Sequence, residues 1–266
     1  MRKKYIFTDI DGTLYEHQAV PPSTVDALRQ AFDNGHQIYL CTGRPIEGLP
    51  PEVENIIPYA GKICSSGSYI ELDNKVYLDY FFPDDLQAQA VELFDRFALV
   101  FTLETNSQVF FSNLDPDVLK TFPDDFDPRP PRVVLFDPAQ PWPETNKMCI
   151  FAPQPEPLRK AGAFLPTDNL FITQEMKVSD WWYCEISPRN ISKGSAINYL
   201  VNTHRIPYED TVAIGDSMND YEMIKFAQTG IAMGNGDPRL KEIADFLADD
   251  LALDGYARAF KALGFI

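Results

Sequence analysis

Histidine is scarce in this chain of 266 residues: His17, His36 and His204 stand far apart. A histidine-based metal site or a Ser-His-Asp triad therefore has no support. Cysteine is equally thin. Cys41, Cys64, Cys149 and Cys184 show no CxxC or metal-ligand spacing. Three of them lie in apolar runs and the fourth follows Trp181-Trp182, so buried reduced thiols are expected rather than a disulfide framework. No apolar run approaches the length of a membrane span. Arg2, Lys3 and Lys4 resemble the start of a signal peptide, but Asp9 and Asp11 interrupt any apolar segment behind them. The cytoplasm is the expected location, with no membrane partner. Positive charge is also short: 23 Lys and Arg face 39 Asp and Glu, a net charge of −16. That leaves no basic stripe for nucleic acid. The same field repels an anionic substrate at long range. A phosphate ester would need capture by local cations, of which a divalent metal is the obvious one.

What is present begins with Tyr5-Ile6-Phe7-Thr8-Asp9-Ile10-Asp11-Gly12-Thr13-Leu14. A strand-like apolar run ends in two aspartates one residue apart. Strand residues alternate sides, so Asp9 and Asp11 share a face if the strand persists through both. Two adjacent carboxylates repel and raise each other's proton affinity unless a cation lies between them. A Mg²⁺-dependent phosphoryl-transfer site gives a reason for that arrangement. A solvated acidic turn closed by Gly12 is the plainer reading, and this stretch alone leaves both open.

With 45% apolar and 23% charged residues the composition is that of a soluble globular protein, as one large domain or two ordinary ones. After the acidic loop, Pro21-Pro22-Ser23-Thr24 predicts a helix start with Ser23 or Thr24 as N-cap and Val25, Leu28 and Phe32 on one face. Gly35 closes it, and Gln37 to Cys41 is a second strand. Strand, helix, strand is a βαβ unit with parallel strands and a right-handed crossover. Both strands then end at the sheet edge where open α/β proteins bind ligands, which places Asp9, Asp11 and Thr42 near one another.

A third strand is expected at Lys62 to Ser66, then a hairpin turning at Asp73-Asn74. From Phe82-Pro83 the texture changes. A helix over Asp84 to Phe97, opened by the charges of Asp84-Asp85, is followed by strands at Leu99 to Glu104 and Gln108 to Phe111. Pro123 to Pro143 reads as looping chain with a short strand at Val133 to Phe136. A strand at Met148 to Ala152, a helix at Leu158 to Phe164 and strands at Leu170 to Thr173 and Trp181 to Ile186 follow. Residues 83–184 thus read as an inserted α+β domain inside an α/β core made of 1–82 and 185–266. The βα alternation resumes with a helix from Lys193 and a strand at Thr211 to Gly215. Asn219 or Asp220 is expected to start the next helix.

Four motifs fall at element ends of one parallel sheet: Asp9-Ile10-Asp11-Gly12-Thr13, Thr42-Gly43-Arg44, Lys193, and Gly215-Asp216-Ser217-Met218-Asn219-Asp220. In this order they resemble the haloacid dehalogenase (HAD) superfamily of phosphohydrolases. The insert between the second and third motifs is similar to the type IIB cap of the Cof-like sugar-phosphatase branch. The resemblance implies a Rossmann-like parallel-sheet core with an inserted C2B cap that covers a small substrate.

It also implies roles, each with a chemical reason. Asp9 would be the nucleophile, because a carboxylate is ionised at neutral pH and can form an aspartyl-phosphate. Asp11 would protonate the leaving alkoxide and then deprotonate the attacking water. Asp9, the backbone carbonyl of Asp11 and Asp216 would hold octahedral Mg²⁺ with phosphate and waters. Thr42 would hydrogen-bond a phosphate oxygen, Lys193 would neutralise the transferring group, and backbone N–H groups of Ile10 and Gly43 would add donors. Asn219 would reach the phosphate or steady the nucleophile, and Asp220 would buttress the metal and Lys193.

Some residues stay ambiguous. Relatives commonly carry asparagine before a glycine where this chain has Ser66-Gly67, which puts a substrate contact there in question. Arg44 binds substrate or salt-bridges a helix. Trp181-Trp182-Tyr183 stack on a sugar or pack a core, the second being the commoner use of such a run. Asn190 is placed near the entrance, Glu185 at a domain junction, and Asp249-Asp250 in a solvated loop. The expected function is a monomeric, Mg²⁺-dependent phosphatase of a small phosphorylated metabolite, with sugar phosphates foremost. A phosphomutase or phosphotransferase of the same fold, or a non-catalytic metal-binding module, are the alternatives. Asp11 argues against an ATP-driven pump domain, which needs a long-lived phosphoaspartate.

Overall fold

The computed structural model describes residues 2–114, 133–165, 170–178 and 181–266. The chain forms two compact units, Met1–Leu78 with Ile191–Ile266, and Asp79–Asn190. Residues 123–132 of the stretch Pro123 to Pro143, expected to loop, lie outside the described residues. Among the described residues no helix is long and apolar enough to cross a membrane.

In the first unit, chain order gives strand β1 (Tyr5–Thr8), helix α1 (Pro22–Asp33), β2 (Gln37–Cys41), α2 (Pro51–Glu54), β3 (Gly61–Cys64), β4 (Tyr69–Leu72) and β5 (Lys75–Asp79). The second unit contributes α3 (Asp84–Arg96), β6 (Val100–Glu104), β7 (Val109–Phe111), β8 (Val133–Leu135), β9 (Lys147–Ala152), α4 (Pro155–Phe164), β10 (Leu170–Val178) and β11 (Trp181–Pro188). The first unit then resumes with α5 (Lys193–Thr203), β12 (Thr211–Gly215), α6 (Tyr221–Phe226), β13 (Thr229–Ala232), α7 (Pro238–Lys241), β14 (Phe246–Leu247) and α8 (Gly255–Ala262).

The first sheet runs β14-β13-β12-β1-β2-β3-β4-β5. β1 is central and parallel to both neighbours, with Thr8 opposite Leu40 on β2 and Ile214 on β12. Its side chains are buried on alternate faces. Ile6 packs with Leu28 of α1 and Phe260 of α8, whereas Phe7 packs with Ile197 and Leu200 of α5 and Met223 of α6. A strand covered on both faces reads as a continuous apolar run, which is why β1 carries no polar alternation. The matched register brings the carboxyl ends of β1, β2 and β12 to one edge, so Asp9, Thr42 and Asp216 all follow from it.

Two local expectations change. Helix α1 starts at Pro22 with Pro21 at the N-cap position and no side-chain cap, so neither Ser23 nor Thr24 caps it. Proline at the first position needs no partner for the N–H it lacks. Phe32 is exposed, and the buried face of α1 is Thr24, Ala27, Leu28 and Ala31. Asp220 stands at the N-cap position of α6, as expected, at the end of a short 3₁₀ turn, Met218–Asp220.

The second unit is a sheet in the order β10-β11-β9-β6-β7-β8, antiparallel except between β7 and β8. Helices α3 and α4 cover one face through Leu86, Phe94 and Leu158 against Phe101, Ile150 and Ile186. The aromatic run divides between the faces: Trp182 packs with this helix-side cluster, while Trp181 and Tyr183 pack beside Phe111 and Phe151. On three adjacent strands Lys147 lies 3.1 Å from Glu104 and 3.3 Å from Glu185, all three nearly buried. Glu185, expected at a domain junction, is thus a sheet residue paired inside this unit. This compact unit runs to Asn190, just past the end of β11 at Pro188. All four cysteines are free and buried.

Candidate active site

The acidic loop is shaped by its own backbone. Asp9 continues the ladder, its N–H donating to the Ile214 carbonyl at 3.0 Å. The chain then turns sharply. The Ile10 carbonyl accepts from the N–H groups of Thr13, Leu14 and Tyr15, and Gly12 adopts φ +76°. A Cβ on Gly12 would stand 2.4 Å from Asp216 Oδ2, so only glycine lets the loop lie against that carboxylate. The turn separates the two aspartates. Asp9 is buried, while the Asp11 side chain is half exposed. They do not share a face.

Lys193 is the first residue of α5. Ser192 caps that helix through a reciprocal box with Ser195, which fixes where the lysine begins. Its ammonium, fully buried, stands 2.7 Å from Asp9 Oδ1 and 2.6 Å from Asp220 Oδ1. The other oxygen of Asp220 accepts from the N–H groups of Asp216 and Ser217, each at 3.0 Å. Gly215 allows this, since a Cβ there would meet Asp220 at 2.5 Å. Asp216 accepts from the Thr13 hydroxyl at 3.2 Å. Asn219 accepts from the Ser217 hydroxyl at 2.9 Å, which holds it beside this turn.

Thr42 is buried at the end of β2, and its hydroxyl accepts from the Arg44 N–H at 3.1 Å. Gly43 lies half-buried between the two. The Arg44 guanidinium grips Asp11 with two hydrogen bonds, Nε to Oδ2 at 2.7 Å and Nη2 to Oδ1 at 2.5 Å. Ser66 is buried with φ +55°, and its N–H donates to the Thr42 carbonyl at 3.1 Å. Asparagine tolerates that left-handed backbone better than serine does, so the position answers to backbone shape as well as side chain. Asn190 is exposed at the end of the second unit.

Carboxylate oxygens of Asp9, Asp216 and Asp220 come within 4.8 Å of one another. Two of them, Asp9 and Asp220, pair with the Lys193 ammonium. Burial, with Asp220 beside it, raises the proton affinity of Asp9 well above the usual carboxylate range, although Lys193 opposes the shift. Burial and Asp220 likewise push Asp216 up to about 7. Burial would lower the Lys193 pKa, but Asp220 and Asp9 outweigh it and the lysine stays charged. Both oxygens of Asp220 already accept from N–H donors, which leaves Asp9 and Asp216 as the better side-chain ligands. Crowded hard oxygen donors whose proton affinities are raised in this way suit a divalent cation of the Mg²⁺ kind, whose charge favours their ionised forms.

Three contributors escaped the sequence reading: Thr13 on Asp216, the Ser192–Ser195 cap, and Asn235. Asn235 donates to the Gly12 carbonyl at 2.8 Å and accepts from the Leu251 N–H. Ser-x-x-Ser before a helix and Gly234-Asn235-Gly236 were the available signals.

The model of the haloacid dehalogenase-like hydrolase family matches residues 6–260. The chain belongs to that family. YkrA, an inferred phosphatase of Bacillus subtilis (strain 168), is 30% identical over the full length of both chains. The pyridoxal phosphate phosphatase YbhA of Escherichia coli (strain K12) is 25% identical over 97% of each chain. Among solved structures, the HAD phosphatase BT1666 from Bacteroides thetaiotaomicron superposes with a TM-score of 0.82 at 26% identity, covering 99% of this chain and 96% of that one. The subclass IIB sugar phosphatase BT4131 gives 0.79 at 24% identity over 99% and 100%, a likeness of fold. This HAD-family chain is a phosphatase, with the parallel-sheet core and inserted α+β unit of that fold.

Proposed function

We propose that this phosphatase is Mg²⁺-dependent and removes phosphate from a small phosphorylated metabolite, with sugar phosphates foremost, through an aspartyl-phosphate on Asp9. The observation that carries the reading is the cluster of Asp9, Asp216 and Asp220, whose carboxylate oxygens lie within 4.8 Å of one another, with Lys193 paired to Asp9 and Asp220. Asp9, Asp216 and the backbone carbonyl of Asp11 would hold the ion. Bound there, it would favour the ionised carboxylates and screen the phosphate from them.

Asp9 attacks phosphorus as the bond to the leaving oxygen breaks, and Asp11 gives that oxygen a proton. Water then attacks the same phosphorus, Asp11 takes its proton, and the bond to Asp9 breaks. Lys193, fixed by Asp220, stays charged beside Asp9 and favours the anionic group as it transfers. Thr42, Asn219 and the N–H groups of Ile10 and Gly43 supply donors to the phosphate oxygens. The inserted unit, drawn from sequence at 83–184, acts as the cap. We place the protein in the cytoplasm, as a monomer with no nucleic-acid partner.

One screen tests this: phosphate release from sugar phosphates, pyridoxal phosphate and other phosphorylated metabolites, with Mg²⁺ and with chelator. Release that needs Mg²⁺ and disappears in Asp9→Asn is expected. Undiminished release by Asp9→Asn contradicts the nucleophile assignment, and an isomerised sugar phosphate in place of free phosphate would make it a mutase.

A further inference from the structure

We propose that Arg44 is the positioning residue for Asp11, holding the acid/base carboxylate in one orientation; this rests on the phosphatase reading above. Asp11 lies within a turn hinged at the next residue, Gly12, and is half exposed, conditions under which a short side chain samples several rotamers. The Arg44 fork removes that freedom. Two parallel contacts, 2.7 and 2.5 Å, fix the plane of the carboxylate as well as its position, which a single point charge does not do.

The fork is itself anchored at both ends. The backbone N–H of Arg44 donates to Thr42 Oγ1 at 3.1 Å, and its carbonyl accepts from Ser65 N–H at 2.8 Å. The remaining guanidinium nitrogen donates to the Gly48 carbonyl at 3.3 Å, and the guanidinium lies 5.6 Å from the Tyr15 ring centroid. Tyr15 is bridged in turn to Asp11 across the acidic turn. Arg44 therefore ties the loop after β1 to the end of β2. An ion pair this exposed adds little to stability. Its consequence is geometric: one carboxyl must meet both the leaving oxygen and the later water at the same phosphorus.

The test uses the full-length chain with Mg²⁺, comparing Arg44→Ala and Arg44→Lys on an alkyl phosphate and on p-nitrophenyl phosphate. Nitrophenolate leaves without a proton, so the first turnover on that ester bypasses Asp11. On the alkyl ester Arg44→Ala should lower kcat by about a hundredfold. Its KM should stay within about twofold. On p-nitrophenyl phosphate the first-turnover burst should persist and later turnovers slow. Added guanidinium should restore part of kcat to Arg44→Ala, whereas Arg44→Lys should stay impaired. A raised KM at unchanged kcat would make Arg44 a substrate ligand and overturn the proposal. So would kinetics equal to wild type, or loss of the burst along with a lowered melting temperature. Wild-type turnover and its loss in Asp9→Asn test the underlying reading separately. Wild type without turnover removes the reading and this proposal with it.

Discussion

Lys193 and Asp9 form a buried ion pair, Nζ to Oδ1 at 2.7 Å, with the lysine fully enclosed and the aspartate nearly so. The pair ties the start of α5 to the end of β1. Lys193→Met would leave Asp9 and Asp220 buried without their cation. Such unpaired burial costs about 3–5 kcal/mol. Urea denaturation of Lys193→Met should show a loss of that order, with phosphate release abolished. Stability equal to wild type would mean that the pair does not persist in solution.

Asp11 and Asp216 should fail differently. Asp11→Asn keeps the backbone carbonyl assigned to the metal, so Mg²⁺ affinity by calorimetry should stay near wild type while turnover falls by about a hundredfold or more. Asp216→Ala removes a side-chain ligand and should weaken Mg²⁺ binding itself. Equal loss of affinity in both variants would return Asp11 to the role of side-chain ligand.

Two glycines separate strain from site geometry. Gly12 and Gly35 have φ of +76° and +86°, so alanine at either is strained by about 1–2 kcal/mol. A Cβ at Gly35 meets nothing within 4 Å, whereas at Gly12 it meets Asp216. Both variants should melt lower, but only Gly12→Ala should lose Mg²⁺ affinity. Metal binding retained in Gly12→Ala would show that the loop can move away from Asp216.

The charged trio of the second unit offers a test apart from catalysis. Lys147 pairs with Glu104 and Glu185 on neighbouring strands, and the two glutamates draw its pKa up against the pull of burial. Lys147→Met should destabilise the protein by about 3–5 kcal/mol in thermal or urea unfolding. Adding Glu104→Gln and Glu185→Gln should recover part of that loss. No loss in the single variant would mean that water reaches the glutamates.

Much of the frame was legible because its signals are local. The apolar run before Asp9, the helix between Pro22 and Gly35 and the run before Thr42 required a βαβ unit, and topology alone brought Asp9 and Thr42 to one edge. The fate of Asp11 was not legible. It depends on one carbonyl, that of Ile10, collecting three N–H groups, which turns the chain before the strand alternation reaches Asp11. The Arg44 fork was equally hidden: thirty-three residues separate it from Asp11, and charge alone does not choose a partner. Glu185 was misplaced because its pairing with Lys147 requires knowing that β11 lies beside β9. The cap of α1 was misassigned because Pro21-Pro22 already sets the first turn, so the nearby hydroxyls have no cap to make.

The central claim is that the phosphoryl group passes through the Asp9 carboxylate. Acid quenching during turnover with Mg²⁺, followed by borohydride reduction and peptide mass analysis, tests it directly. A reduced residue at position 9 in wild type, absent without substrate and absent in Asp9→Asn, is the expected result. Rapid turnover with no modification at position 9, and full activity in Asp9→Asn, would contradict the account.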